Sequence, residues 1–193
     1  MSHTEMSPCS AASNPGGFSR EACLLWLSLL TPSTRYFEWG SGFTTRVSDG
    51  ICARVTSVEG SEEWHTQMIS SHAWKPTTEL KYVDIGPTGL FSMPKDKSRG
   101  SSYIHAMDRE EGAFDVVLVD GRFRVACAAA AYEHLAPHHA VLVHDFERLH
   151  YRPLLRIYDV VNITGTLAHL RKKSPPKSEE AARMVRSHVA DPS

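Results

Sequence analysis

Short apolar runs rich in Val, Phe and Tyr recur along the chain, and between them apolar residues return at helical spacing. Ser19 is placed to cap a helix running to Leu30, whose Cys23, Leu24, Trp26, Leu27 and Leu30 form a broad apolar face and which Pro32 ends. The pattern then predicts a strand over 35–39, a helix over 44–50 stopped by a left-handed cap at Gly50, a strand over 54–58 ending at Glu59, and a helix over 62–72. A third strand is expected at 80–85. The Gly-, Pro- and Ser-containing stretch over 86–101 is long enough to be a functional or mobile loop. Phe114-Asp115-Val116-Val117-Leu118-Val119 reads as a central parallel strand covered on both faces. An alanine-rich helix over 124–135, a fifth strand over 140–143 and a short helix over 151–158 follow. The last two strands, 160–163 and 166–171, turn at Thr164-Gly165 and form an antiparallel hairpin.

Strands alternating with helices require right-handed crossovers and an α/β sandwich with helices on both faces of a parallel sheet. Residues 18–173 are read as that domain. Residues 1–17, rich in Ser, Pro, Gly and Asn, are read as a disordered leader, and 174–193, opened by Ser-Pro-Pro-Lys, as a flexible tail with at most a marginal helix at 179–188.

Composition narrows the partners. A chain of 193 residues suits one domain, and its formal net charge of -1 gives no general attraction to nucleic acid or an anionic membrane. The apolar run over 22–30 is too short to cross a bilayer. Cys9, Cys23, Cys52 and Cys127 show no CxxC spacing and are read as free thiols of a reducing, cytoplasmic compartment.

In such a sheet, ligands bind beyond the carboxyl ends of the strands. Those ends carry Glu38 with Gly40 and Gly42, Glu59, Asp84, Asp120, and His144-Asp145. Acidic groups gathered at one rim repel one another, which argues for a ligand or metal there. In Glu38-Trp39-Gly40-Ser41-Gly42 the glycines let the backbone turn and approach a bound molecule. Glu59, at the end of the adjacent strand, is placed to accept hydrogen bonds from ribose hydroxyls; the plainer alternative is that it only precedes and caps a helix. A dinucleotide fingerprint would carry a third glycine where Thr45 stands, and a pyrophosphate would sit badly beside Glu38. S-adenosylmethionine has no phosphate and carries positive amino and sulfonium groups, so it suits this acidic loop.

Glu38-Trp39-Gly40-Ser41-Gly42, Glu59 and the terminal hairpin resemble class I S-adenosylmethionine-dependent methyltransferases, over about residues 33–172. Within that class, Tyr82-Val83-Asp84-Ile85-Gly86-Pro87-Thr88-Gly89, Val119-Asp120-Gly121-Arg122-Phe123-Arg124-Val125-Ala126-Cys127 and His144-Asp145-Phe146 resemble a poorly characterised group of small methyltransferase-like proteins. Val119-Asp120-Gly121 is also distantly similar to plant glucuronoxylan O-methyltransferases, whose substrate is not carried over because the following residues differ. The resemblance implies a Rossmann-like three-layer sandwich with a mostly parallel seven-stranded sheet and a C-terminal antiparallel hairpin. It also implies Glu38, Gly40, Ser41 and Gly42 at the methionine end of the donor, Glu59 at its ribose and Asp120 facing the transfer site. Adenine contacts would come from Asp84, Ile85 or a residue near Tyr103.

Methyl transfer rests mainly on alignment of donor and acceptor, and a hydroxyl acceptor also benefits from a base. His144 is the first candidate base, with Asp120 and Asp145 beside it; a histidine merely packed at a strand end is the alternative. Asp120 and Asp145 are also suited to a divalent cation, but Phe146 stands where the similar cation-dependent enzymes have Asn, so no metal ligand is assigned. His138 and His139 are expected in a loop at the opposite end of the sheet. Arg122 and Arg124 are candidate forks for a carboxylate or phosphate on the acceptor, or else partners of Asp120, Asp145 or Glu147. The expected activity is O-methylation of a small molecule or saccharide, acidic ones included. The alternatives are a non-catalytic binding or protein-interaction module of the same fold and, less favoured by Thr45 and Glu38, a nicotinamide oxidoreductase. No basic stripe suggests nucleic acid, no segment suggests a membrane, and oligomeric state is left open.

Overall fold

Strands β1 (Arg35–Trp39), β2 (Arg54–Glu59), β3 (Thr78–Tyr82), β4 (Phe114–Val119), β5 (Leu135–Val143), β6 (Tyr158–Thr164) and β7 (Leu167–Lys172) form one sheet in the order β3-β2-β1-β4-β5-β7-β6. The first five are parallel, and β7 runs antiparallel between β5 and β6. This is the mostly parallel seven-stranded sheet with a terminal hairpin that the resemblance implies. The computed structural model describes Cys9 and residues 17–193. Apart from Cys9 and Gly17, the expected leader lies outside the described residues.

Successive residues of the central strands point to opposite faces, and both faces are buried. Tyr36, Val116, Leu118 and Leu142 face helix α1 (Arg20–Ser28), which contributes Ala22, Cys23 and Trp26, while Phe43 and Val47 of helix α2 (Phe43–Ile51) pack on the same cluster. Phe37, Trp39, Val117, Val119, Val141 and Val143 face helix α5 (Arg124–Ala130) and helix α6 (Ser178–His188). Between these helices in the chain come α3 (Glu62–Ser70) and the short α4 (Ser101–Ile104). Ser19 caps α1 as expected, accepting from the amide of Ala22 at 3.1 Å.

Several boundaries differ from the sequence reading. Helix α2 continues through Gly50, which has no positive φ, and stops when Cys52 turns extended. Strand β3 occupies 78–82 rather than 80–85, because pairing from Val55↔Thr78 to Glu59↔Tyr82 fixes its register. Helix α5 ends at Ala130, and β5 starts at Leu135, so His138 and His139 lie within a strand. The helix expected over 151–158 is a 3-10 helix, Leu149–Arg156, and Tyr158 already belongs to β6.

Two expectations are corrected outright. The tail over 174–193 is not merely a flexible linker: α6 buries Ala181, Met184 and Val185, spaced for one helical face, against the α5 side of the sheet. The four cysteines are not all free, since Cys9 and Cys23 form a disulfide with Cα atoms 5.6 Å apart, leaving Cys52 and Cys127 as buried thiols. Pairing depends on which side chains face each other, which spacing alone does not disclose. The thiol argument for a reducing compartment therefore lapses.

Candidate cofactor and active site

The sheet order reverses between β1 and β4, where α/β sheets open a crevice at their carboxyl ends. Glu38, on β1, lies just beneath that crevice and is fully buried. Its register opposite Ser57 brings the Ser57 hydroxyl within 2.8 Å, and Tyr36 and Thr44 donate hydroxyl bonds at 2.9 and 2.7 Å. The Thr45 hydroxyl donates as well. Burial pushes the Glu38 carboxyl above its usual range against the opposing pull of these four hydroxyls. Glu38 is therefore the hub that holds the loop and α2 together, and its expected contact with the donor's methionine end is not made at the cavity surface. Thr45, standing where a third glycine would be, is needed for that hub and also accepts from the Gly42 amide at 2.8 Å.

Above Glu38, the chain passes backbone against backbone. Gly40 has φ +97°, and a Cβ there would lie 2.8 Å from the Gly121 amide nitrogen; a Cβ at Gly121 would lie 2.1 Å from the Tyr103 hydroxyl. These glycines bring the ends of β1 and β4 together. A Cβ at Gly42 would meet nothing within 4 Å.

A cavity of about 270 Å³ opens at this junction, at the small end of the range for small-molecule sites. Gly40, Ser41, Glu59 and Asp120 of the sequence-assigned residues line it, together with Arg122, Ile85 and Tyr103. Glu59 is anchored: Oε1 accepts the Gly60 and Ser61 amides, both at 2.9 Å, and Oε2 accepts the Ser41 amide and hydroxyl at 3.1 and 3.0 Å. The Ser41 hydroxyl is the one of these donors able to rotate away for a ligand. Trp64 of α3 fixes the same loop by donating to the Ser41 carbonyl at 2.8 Å, and its ring remains 42% exposed at the cavity wall.

Asp120 connects the cavity to a buried ionic network. Its Oδ1 receives His144 Nδ1 at 2.8 Å and pairs with Arg124 at 3.2 Å, whereas Oδ2 has no partner among the described residues. His144 lies behind Asp120, buried against Phe18, and outside the cavity wall; its Nε2 makes no hydrogen bond and stands 3.9 Å from Asp145 Oδ1. Arg124 is also buried, and its donors go to Gly121 O, His144 O, Asp120 O and Asp145 Oδ2. Burial opposes the charge of Asp145, but Arg124, His144 and Arg148 outweigh it and hold the carboxyl below its ordinary range.

These positions separate the candidate site residues. Of the candidate bases, Asp120 reaches the cavity and His144 does not. Asp145, held by Arg124 and Arg148 at 2.9 Å each, and Arg124, whose guanidinium is consumed internally, lie outside the cavity wall. Asp84 is half exposed, is paired with Arg99 and lies outside the cavity, whereas Ile85 and Tyr103 line it. His139 is a packed strand residue, joined to Ala136 O at 2.7 Å and accepting from the Lys172 amide at 3.1 Å. Among the described residues, no group of three or more His, Cys, Asp or Glu side chains is placed to hold a metal, and no helix is long and apolar enough to cross a membrane. Trp64, Phe91 and Ser92 also line the cavity. The sequence offered no motif for the latter two; for Trp64 the signal was an aromatic residue shortly after Glu59-Gly60-Ser61.

No protein-family model and no curated protein matches the chain. Solved structures do. A methyltransferase-like protein from Silicibacter pomeroyi is 28% identical with a TM-score of 0.71, covering 87% of this chain and 93% of that one. Precorrin 8w decarboxylase from Methanobacterium thermoautotrophicum is 14% identical at TM-score 0.53, covering 81% and 90%. The MycE methyltransferase of the mycinamycin biosynthetic pathway, solved with Mg and SAH, is 13% identical at TM-score 0.53; the match spans 82% of this chain and 51% of that one. The protein has the class I methyltransferase fold. The similarity to plant glucuronoxylan enzymes finds no counterpart among these matches.

Proposed function

We propose that the protein transfers the methyl group of S-adenosylmethionine to a hydroxyl oxygen of a small-molecule or saccharide acceptor. The observation that carries this reading is the placement of Glu59 and Asp120 in one cavity at the switch point of the sheet, floored by the Gly40-Ser41 backbone. Two carboxylates and a loop without a third glycine suit a cationic nucleoside better than a pyrophosphate. Glu59 Oε2 accepts the ribose hydroxyls once the Ser41 hydroxyl turns away. Ile85 and Tyr103 supply the apolar wall for the base.

When bound, the donor supplies a methyl carbon activated by its sulfonium, so the C–S bond breaks toward sulfur as the new C–O bond forms. The chain aligns the partners and removes one proton. Asp120 Oδ2 takes that proton from the acceptor hydroxyl, while His144 and Arg124 hold Oδ1 and fix the carboxyl's orientation.

Calorimetric titration with S-adenosylmethionine, S-adenosylhomocysteine and NAD tests the reading. Binding of the first two, weakened by Glu59→Gln, is expected. Tight NAD binding without an adenosylmethionine signal would overturn it.

A further inference from the structure

Among the described residues, one cation of the cavity wall has no directly bonded counter-ion, although the Asp120 carboxylate favours its charge from a distance. Arg122 is half-buried and lines the cavity, yet its guanidinium makes no hydrogen bond or ion pair among the described residues. Of the carboxylates around it, Asp120 keeps one oxygen, Oδ2, without a partner, and that oxygen makes no ion pair with Arg122. Asp120 Oδ1 holds His144 and Arg124, Asp145 Oδ2 holds Arg124 and Arg148, and Glu59 is saturated by Ser41, Gly60 and Ser61. Arg124, two residues on, differs in that its donors are spent inside the protein.

We infer that Arg122 is a carboxylate receptor of the strand-end cavity, holding either the α-carboxylate of the methyl donor or a carboxylate on the acceptor. The inference rests on the methyl-donor reading. A partly desolvated charge without a partner is costly, and the planar fork of a guanidinium matches a carboxylate through paired hydrogen bonds. Burial and then the neighbouring Arg124 charge disfavour the cationic form of Arg122, only partly offset by Tyr103, Tyr151 and Asp120, so an anion brought against the guanidinium adds a favourable charge contact.

Two measurements separate the sources. S-adenosylhomocysteine and 5′-methylthioadenosine, which lacks the amino-acid end, are titrated into the wild type, Arg122→Gln and Arg122→Lys. A donor carboxylate on Arg122 predicts that Arg122→Gln weakens S-adenosylhomocysteine about tenfold or more while leaving methylthioadenosine within about twofold, with partial rescue by lysine. An acceptor carboxylate predicts unchanged affinity for both nucleosides. In that case acetate, but not acetamide, shifts the Nε–H resonance of Arg122 in protein saturated with S-adenosylhomocysteine. Unchanged affinities together with no acetate shift overturn the inference. If neither nucleoside binds the wild type, the methyl-donor reading fails, and the acetate shift in the free protein decides on Arg122 separately.

Discussion

His144 Nδ1 stands 2.8 Å from Asp120 Oδ1, which places the histidine behind the aspartate with respect to the cavity. On the proposed methyl-transfer reading, the acid, with Oδ2 unencumbered, is the group that meets an acceptor, and the imidazole orients it. Asp120→Asn is therefore expected to slow methyl transfer by about 10²–10⁴, with S-adenosylhomocysteine affinity nearly unchanged. His144→Gln, which still offers the carboxylate a donor, should cost much less. Single-turnover rates beside calorimetric affinities check the pair; an His144 variant slower than the Asp120 variant would restore the histidine as the base.

Gly40 and Gly121 meet through their backbones, so the loop's glycines differ in what they tolerate. Gly121→Ala places a methyl 2.1 Å from the Tyr103 hydroxyl and 3.0 Å from Gly40 N, and Gly40→Ala adds a clash to a φ of +97°. Each should lower unfolding free energy by about 1–3 kcal/mol or more. Gly42→Ala, with open space around its Cβ, should cost under about 1 kcal/mol as an N-cap change. Urea titration of the three variants distinguishes them.

The contrast shows what the sequence could and could not disclose. Strand β4 was legible to the residue because a strand buried on both faces is an apolar run with sharp ends. The rim positions of Glu59 and Asp120 followed from topology alone. Glu38 was placed correctly on its strand but not beneath the surface, since the hydroxyls that solvate it come from Tyr36, Thr44, Thr45 and Ser57, spread over two strands and a helix. Arg122 and Arg124 look alike in sequence, and only the turn into α5 sends one toward the cavity and the other into the ionic network. Helix α6 was faint because the three buried apolar residues in a polar segment gain their meaning from the surface they cover.

Arg124 and Arg122 should accordingly separate in stability. Arg124→Met leaves Asp145 only Arg148 and Asp120 only His144 as partners, a change expected to cost about 1–3 kcal/mol. Arg122→Gln breaks no contact and should stay within about 0.5 kcal/mol. Equal losses in the two variants, measured by chemical denaturation, would contradict the division of roles.

The Cys9–Cys23 bridge closes a loop of sequence separation 14 onto α1. Loop-closure entropy alone gives about 3 kcal/mol for a loop near that length. Cys9→Ser should lower stability by up to that amount, and a reductant should reproduce the loss in the wild type while leaving the variant unaffected. Identical thermal transitions with and without reductant in the wild type would show that the bridge contributes nothing.

Stability should also fall on mild acidification through His139 and His169, neighbours on β5 and β7. Burial is the leading cause that lowers both below the ordinary histidine value of 6.5, aided for His139 by Lys172 and Arg171 and for His169 by Arg171 and His139. As pH falls past 6.5, the unfolded chain takes up protons that the folded one resists, so the unfolded state gains. The contribution is complete above 6.5 and is lost as pH falls through the lowered folded values. Glu38 acts in the opposite sense, because its raised pKa makes the folded state the better proton binder above 4.5. The histidine term is therefore isolated by comparing the wild type with His169→Leu in urea across this range. The wild type should lose more stability than the variant between neutral and mildly acidic pH, and parallel curves would refute a role for His169.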